Sequence, residues 1–218
     1  MTTINQPPPH ASEPDDPGLA EFWELRYRDG DTGWDIGQPA PPFVGLLAEA
    51  DAPPPGSMIV LGCGRGHDAV FFAHHGFDVT AVDFAPSAIR AAEREAERGG
   101  VKIRFVEHDL FTLDEGYNHR FDYVLEHTCF SALPPARRSE YAQLVRRLLT
   151  ENGTYFALFF THGRPGGPPF DTTAEEVRAL FSPYFSITRL EQPGHSAEQR
   201  AGLELLAIMQ PLSRSGTQ

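Results

Sequence analysis

The sequence predicts one doubly wound α/β domain, a seven-stranded, mostly parallel sheet with helices on both faces. Three observations carry that expectation. From Met58 onward, apolar runs of strand length alternate with helix-period segments, the pattern of strands joined by crossover helices. The first apolar run ends in a glycine-rich turn and the second ends in an acid. The last two strand-like runs have no helix between them, so they are expected to pair antiparallel at one edge of the sheet.

In order along the chain, residues 1–17 are rich in proline and acid and are expected as a disordered leader. Residues 19–29 read as a short helix, which Gly30 and the DTGWDIGQPAPP run break. A second short helix covers 43–50. Residues 18–50 are expected to form an N-terminal helical lid on an α/β core at 58–212, with 213–218 a loose tail. The core reads as strand MIVLG, helix HDAVFFAHHG, strand FDVTAVD and helix PSAIRAAEREAER, whose charges fall on an outer face. VKIRFVEHD alternates at period two, FDYVLE is a further strand, and PPARRSEYAQLVRRLLT is a helix with proline in its first turn. GTYFALFF, then a helix opened by Thr173, then FSITRLEQ and GLELLAIMQ complete the series.

The net charge is −12, and Lys102 is the only lysine among 18 cations. That balance opposes phosphate backbones and anionic membranes, so neither nucleic acid nor a membrane is an expected partner. No run approaches the roughly 18 apolar residues of a membrane span, and the first residues lack the pattern of a secretory signal. Cys63 and Cys129 are far apart without disulfide or zinc spacing, which suits a reducing cytoplasm. His74-His75 lacks a matching acid or cysteine pattern, so no metal is expected.

The first strand runs into Gly62-Cys63-Gly64-Arg65-Gly66-His67-Asp68, and the second ends at Asp83. Glycines at a strand's C-terminal edge let a ligand approach the backbone, and a carboxylate on the neighbouring strand tip is placed for ribose hydroxyls. The glycines fall at every second position rather than as G-x-G-x-x-G, and Asp68 stands where a pyrophosphate would need an open helix N-terminus. An acid there suits an ammonium or a sulfonium. No Tyr-x-x-x-Lys or comparable pair for hydride transfer accompanies the loop, which disfavours a nicotinamide oxidoreductase.

The G-x-G-x-G spacing, Asp83 and Asp109 together resemble the seven-stranded methyltransferases of the Rossmann-like class I fold. Phe22-Trp23 with Tyr27, Gly33-Trp34-Asp35, Gln38-Pro39, the glycine loop, Phe130-Ser131-Ala132-Leu133-Pro134 and Gly167-Pro168-Pro169-Phe170 resemble, in order, the thiopurine and thiol methyltransferase family and its halide-methylating relatives. The resemblance runs from Phe22 to about Arg189. Val60 stands where many methyltransferases carry an acid, and the family often has tryptophan at Tyr27 and tyrosine at His127.

That resemblance implies S-adenosyl-L-methionine as cofactor, with S-adenosyl-L-homocysteine as product. It implies a cofactor site of Trp23, Tyr27, Trp34, Gly62, Cys63, Gly64, His67, Asp83, Phe84, Asp109, Leu110, Phe111, Glu126 and His127. Substrate-pocket candidates are Tyr27, Trp34, His127, Phe130, Phe160 and Phe170, with Phe22 nearby. The expected substrate is a small anion or thiol (halide, thiocyanate, bisulfide), methylated by in-line displacement in a monomer, with no certain catalytic residue. Alternatives are a larger thiol or phenol, for which His127 is the one available base, and a non-catalytic binding protein. The alternative readings are Trp23 and Trp34 as core aromatics and His127 as a structural histidine, while Cys63 in the glycine loop reads as a space-filler rather than a nucleophile. On so acidic a chain, the sulfonium itself is expected to supply the local attraction for an anion.

Overall fold

The computed structural model describes residues 16–213, so most of the expected leader and tail lies outside the described residues. Strands β1 (Ser57–Leu61), β2 (Asp78–Asp83), β3 (Arg104–Glu107), β4 (Phe121–His127) and β5 (Leu149–Phe160) pair in parallel in the order β3-β2-β1-β4-β5. Strand β7 (Glu204–Pro211) lies antiparallel between β5 and β6 (Phe185–Glu191). The helix-less pair is antiparallel as expected, but only β6 is an edge strand. β7 is interior.

Strands buried on both faces read as continuous apolar runs, which is why MIVL was legible. Ile59 and Leu61 face one core with helices α6 (Arg138–Leu148) and α7 (Ala174–Phe181), while Met58 and Val60 face the other with α2 (Pro41–Ala48) and α3 (His67–His74). Helix α4 (Pro86–Gly99) turns Ala88, Ala92 and Ala96 inward, starts on Pro86 and ends at Gly100, whose φ of 67° closes it. The Thr173 side chain accepts the Glu176 N–H and caps α7, as its sequence indicated.

Some boundaries differ from the sequence reading. β3 is limited to four residues because its single partner, β2, offers a ladder only from Thr80 to Asp83. β5 starts four residues before Gly153, directly after α6. α2 begins at Pro41, since prolines fit a first turn whose N–H groups have no helical partner anyway.

Phe43 and Leu46 of α2 are buried in the core against the β1 side chains. Within the expected lid at 18–50, α2 is therefore part of the core. Helix α1 (Ala20–Asp29) is tied to α4 by the Glu24 carboxylate, which accepts from Ser87 N and Oγ at 2.7 Å each.

Candidate active site

The C-terminal tips of β1 to β5 open into one cavity of about 570 Å³, within the range of clefts that enclose small-molecule ligands. The glycine loop leaves β1 at Gly62. A Cβ on Gly62 would stand 2.7 Å from Cys129 Sγ, and one on Gly66 would stand 2.9 Å from the Ala92 Cβ. Both residues have positive φ (59° and 82°), so glycine is required twice over.

Asp83 ends β2 almost fully buried. Its Oδ2 accepts the Gly64 N–H at 2.9 Å and its Oδ1 the Ala85 N–H at 3.0 Å, fixing the loop against the strand tip. Burial raises its pKa, and those N–H groups oppose the rise. Asp109 follows β3, accepts the Phe111 N–H and lines the cavity with Leu110 and Phe111.

Trp34 roofs the cavity. Trp23 and Tyr27 meet it edge to face, with ring centroids 5.2 and 5.5 Å away. Burial, then the Asp83 charge, pushes the Tyr27 phenol far up, so it stays neutral. The roof is latched to the glycine loop through Asp35, which pairs with Arg65 Nε at 2.9 Å and His67 Nε2 at 3.3 Å. The Asp35 contact raises the His67 pKa against the opposing effect of burial, and Asp35 itself is held low by His67.

At the tip of β4, His127 Nδ1 meets Asp68 Oδ2 at 2.9 Å, while Asp68 Oδ1 accepts the Ala40 N–H at 2.7 Å. Burial disfavours a charge on His127, but Asp68, Glu204 and Glu126 outweigh it and raise its pKa. The sequence named His127 as an available base but no acid to partner it, and Asp68 is that partner. The two are separated by 59 residues, so no local motif announces the pair.

Trp23, Tyr27, Trp34, Gly62, Cys63, Gly64, His67, Asp83, Phe84, Asp109, Leu110, Phe111, His127 and Phe160 all line the cavity. Four of the expected residues are placed elsewhere. Phe130 packs inside the core on Tyr141, Phe159 and Phe181, because its short helix α5 (Cys129–Ala132) turns it to that side of the sheet. Phe22 is buried beneath the Arg26 guanidinium, and Phe170 lines a separate shallow depression beside Arg164. Glu126 is fully buried, with Oε2 accepting the Phe130 N–H, and burial pushes its pKa up to about 7. Burial also raises both cysteine thiols, so neither is an ionised nucleophile near neutral pH.

The sequence reading also missed the basic groups. Arg26, Arg65, Arg137, Arg164 and Arg200 all line the cavity, so a bound sulfonium is not its only positive charge. Arg200 is buried, stacks over the Phe160 ring at 4.3 Å and donates to the Trp34 carbonyl.

The donor set suits a cationic nucleoside. Asp83 and Asp109 face the cavity, Asp68 occupies the first turn of α3, and aromatic rings cover the loop. A pyrophosphate would meet carboxylates at each of those points. A family model described as thiopurine S-methyltransferase matches residues 19–208. The chain belongs to the thiopurine S-methyltransferase family. Within that family it is 32% identical, over 188 residues, to thiocyanate methyltransferase 1 of Brassica oleracea, covering 84% of this chain and 82% of that one. It is 31% identical over the same shares to probable thiol methyltransferase 2 of Arabidopsis thaliana. Among solved structures, Burkholderia thailandensis 1,6-didemethyltoxoflavin-N1-methyltransferase, with bound S-adenosylhomocysteine, superposes with a TM-score of 0.72. That match covers 89% of this chain and 87% of that one, at 24% identity, and shows the shared fold. The protein is a methyltransferase that uses S-adenosylmethionine, as its family does.

Proposed function

We propose that the chain transfers the methyl group of S-adenosylmethionine to a small soft nucleophile, a thiol or bisulfide, thiocyanate or halide, by in-line displacement. One observation carries this reading: a single cavity runs unbroken from Asp109 and Asp83, past Gly62, to His127 and Phe160. Neighbouring strands lie about 4.8 Å apart, so the β2 and β4 tips are separated by two strand spacings. The methyl-donor substrate fits the first half, with its adenosine toward Asp109 and Asp83 and its sulfonium toward the glycine loop. The nucleophile fits the second, between His127 and the Phe160 and Trp34 rings.

The donor is already activated, so the chain's work is to hold the nucleophile in line and exclude water. Trp23, Tyr27 and Trp34 supply the cover, and Trp34 also offers a π face to a positive charge. Arg200 adds local attraction for an anion on an acidic protein. The names of the two plant relatives support thiocyanate and thiol as the nucleophile class. The two free cysteines suit a protein working in a reducing cytoplasm.

A larger thiol or phenol is the second reading, favoured by the Asp68–His127 pair, which a phenol would need. Incubation with methyl-labelled S-adenosylmethionine and a panel of sulfide, thiocyanate, iodide, thiopurine and a phenol tests the choice. Label in sulfide, thiocyanate or iodide supports the proposal. Label confined to the thiopurine or the phenol selects the second reading, and donor binding without transfer to any acceptor refutes both.

A further inference from the structure

We propose that His127, positioned by Asp68, accepts the proton of a neutral thiol, so that the enzyme acts on protonated thiols as well as on nucleophiles that arrive ionised. The inference rests on the proposed function and names a narrower substrate class for the same cavity.

The geometry points to this role at three places. The His127 ring lines the cavity at the tip of the strand beside the glycine loop, where Leu61 pairs with Glu126 and Gly62 follows. Its Nδ1 is engaged by Asp68 at 2.9 Å, and Asp68 is itself fixed by the Ala40 N–H, so ring orientation and tautomer are set from behind. Its Nε2 is enclosed yet has no hydrogen-bond partner. The nearest acid, Glu204 Oε1, is 3.9 Å away, beyond hydrogen-bonding range. Most buried polar atoms find a partner, so an unpaired Nε2 on a cavity-lining ring calls for an explanation. His67 Nε2 likewise makes no hydrogen bond but stands 3.3 Å from an ion-pairing Asp35 oxygen, whereas no acid comes that near His127 Nε2.

The chemistry needs such an acceptor. An ordinary thiol with a pKa near 8.5 is only a few per cent ionised at pH 7, and a water-excluding cavity makes its ionisation harder. In the step proposed, the S–H proton passes to His127 Nε2 and the sulfur electron pair forms the new carbon–sulfur bond. The donor's methyl–sulfur bond breaks with its electrons staying on that sulfur. Thiol, sulfonium and imidazole thus become thioether, neutral sulfide and imidazolium. The groups facing the ring are Asp68 on α3, Glu204 on β7 and Glu126 on β4, with Arg200 coupled to Glu204. The three acids stabilise the imidazolium once the proton has arrived.

The test measures kcat/KM for 2-mercaptoethanol and for thiocyanate from pH 6 to pH 10, in the full-length wild type, His127→Gln and Asp68→Asn. Calorimetry with S-adenosylhomocysteine checks that each variant keeps its donor site. At pH 7 the thiol-to-thiocyanate ratio should fall at least about 100-fold in His127→Gln, within the 10²–10⁴-fold that a general base contributes. By pH 10, where the thiol ionises unaided, the ratio should recover to within about tenfold of wild type. Asp68→Asn should move the acid limb of the thiol profile to lower pH, as a positioning residue that raises the His127 pKa would. Equal losses with both substrates at every pH, or an unchanged ratio, overturn the inference. If His127→Gln fails to bind S-adenosylhomocysteine, an unshifted acid limb in Asp68→Asn overturns it instead. A wild type active on thiocyanate but on no thiol also overturns it, whereas a wild type inactive on both refutes the proposed function itself.

Discussion

Replacing Glu126 by glutamine should change how stability depends on pH. The carboxyl is fully buried at the end of β4 and burial raises its pKa from an ordinary 4.5 to about 7. The unfolded chain releases this proton near the ordinary value, whereas the folded chain holds it longer. The folded state therefore binds more protons between the two values, and stability falls as pH rises from about 4.5 to about 7. A 2.5-unit difference corresponds to about 3 kcal/mol. Glutamine keeps an acceptor for the Phe130 N–H that Glu126 Oε2 now takes, but it places an amide where Oε1 has no hydrogen-bond partner. That amide costs about 1–3 kcal/mol at every pH. Relative to wild type, Glu126→Gln should therefore gain about 3 kcal/mol between pH 4.5 and pH 7.5 while starting from a deficit. Urea denaturation of both proteins at half-unit pH intervals reads the difference directly. A wild-type-minus-variant difference that stays constant across this range would show that Glu126 is not a buried, late-titrating acid.

Asp83→Asn should weaken S-adenosylhomocysteine binding at least tenfold by calorimetry, since charge-assisted hydrogen bonds are worth about 1.5–3 kcal/mol each. Asparagine is preferred to alanine because it keeps one of the two acceptors that hold the Gly64 and Ala85 N–H groups, whereas truncation removes both. Asp35→Asn should loosen the roof and weaken the same ligand about three- to tenfold, the scale of a partly exposed ion pair. Because Asp35 raises the His67 pKa, the His67 half of the latch is present while Asp35 is ionised and His67 protonated. It is lost as pH rises through the His67 pKa, leaving the Arg65 half in place. Wild-type affinity should accordingly decline toward alkaline pH, and the Asp35→Asn profile should be flatter. Gly66→Ala should lower stability by about 1–3 kcal/mol in thermal melts, from its φ of 82° and the contact with Ala92.

What was legible in the sequence is what depends on local pattern. The seven strands showed because apolar runs of four to eight residues are hard to hide, and Asp83 showed because a strand tip beside a glycine loop is a recognisable place. The lid aromatics Trp23, Tyr27 and Trp34 were found through resemblance, and the structure brings all three to the cavity. What escaped depends on contacts between distant segments. Asp68 meets His127 across 59 residues, and Arg200 reaches the Trp34 carbonyl across 166. Phe130 and Phe170 sit in segments that resemble the family's loops, but motif spacing does not say which way a side chain turns. One entered the core and the other a neighbouring depression. The expected lid at 18–50 takes in α2, which looks like any short helix until Phe43 is seen in the core.

The central claim, methyl transfer to a soft sulfur nucleophile, is tested most directly by an acceptor that offers sulfur and oxygen together. Incubating the protein with S-adenosylmethionine and 4-mercaptophenol, followed by mass spectrometric analysis of the product, locates the methyl group. The account predicts 4-(methylthio)phenol, with the hydroxyl untouched. Methylation of the oxygen would contradict it.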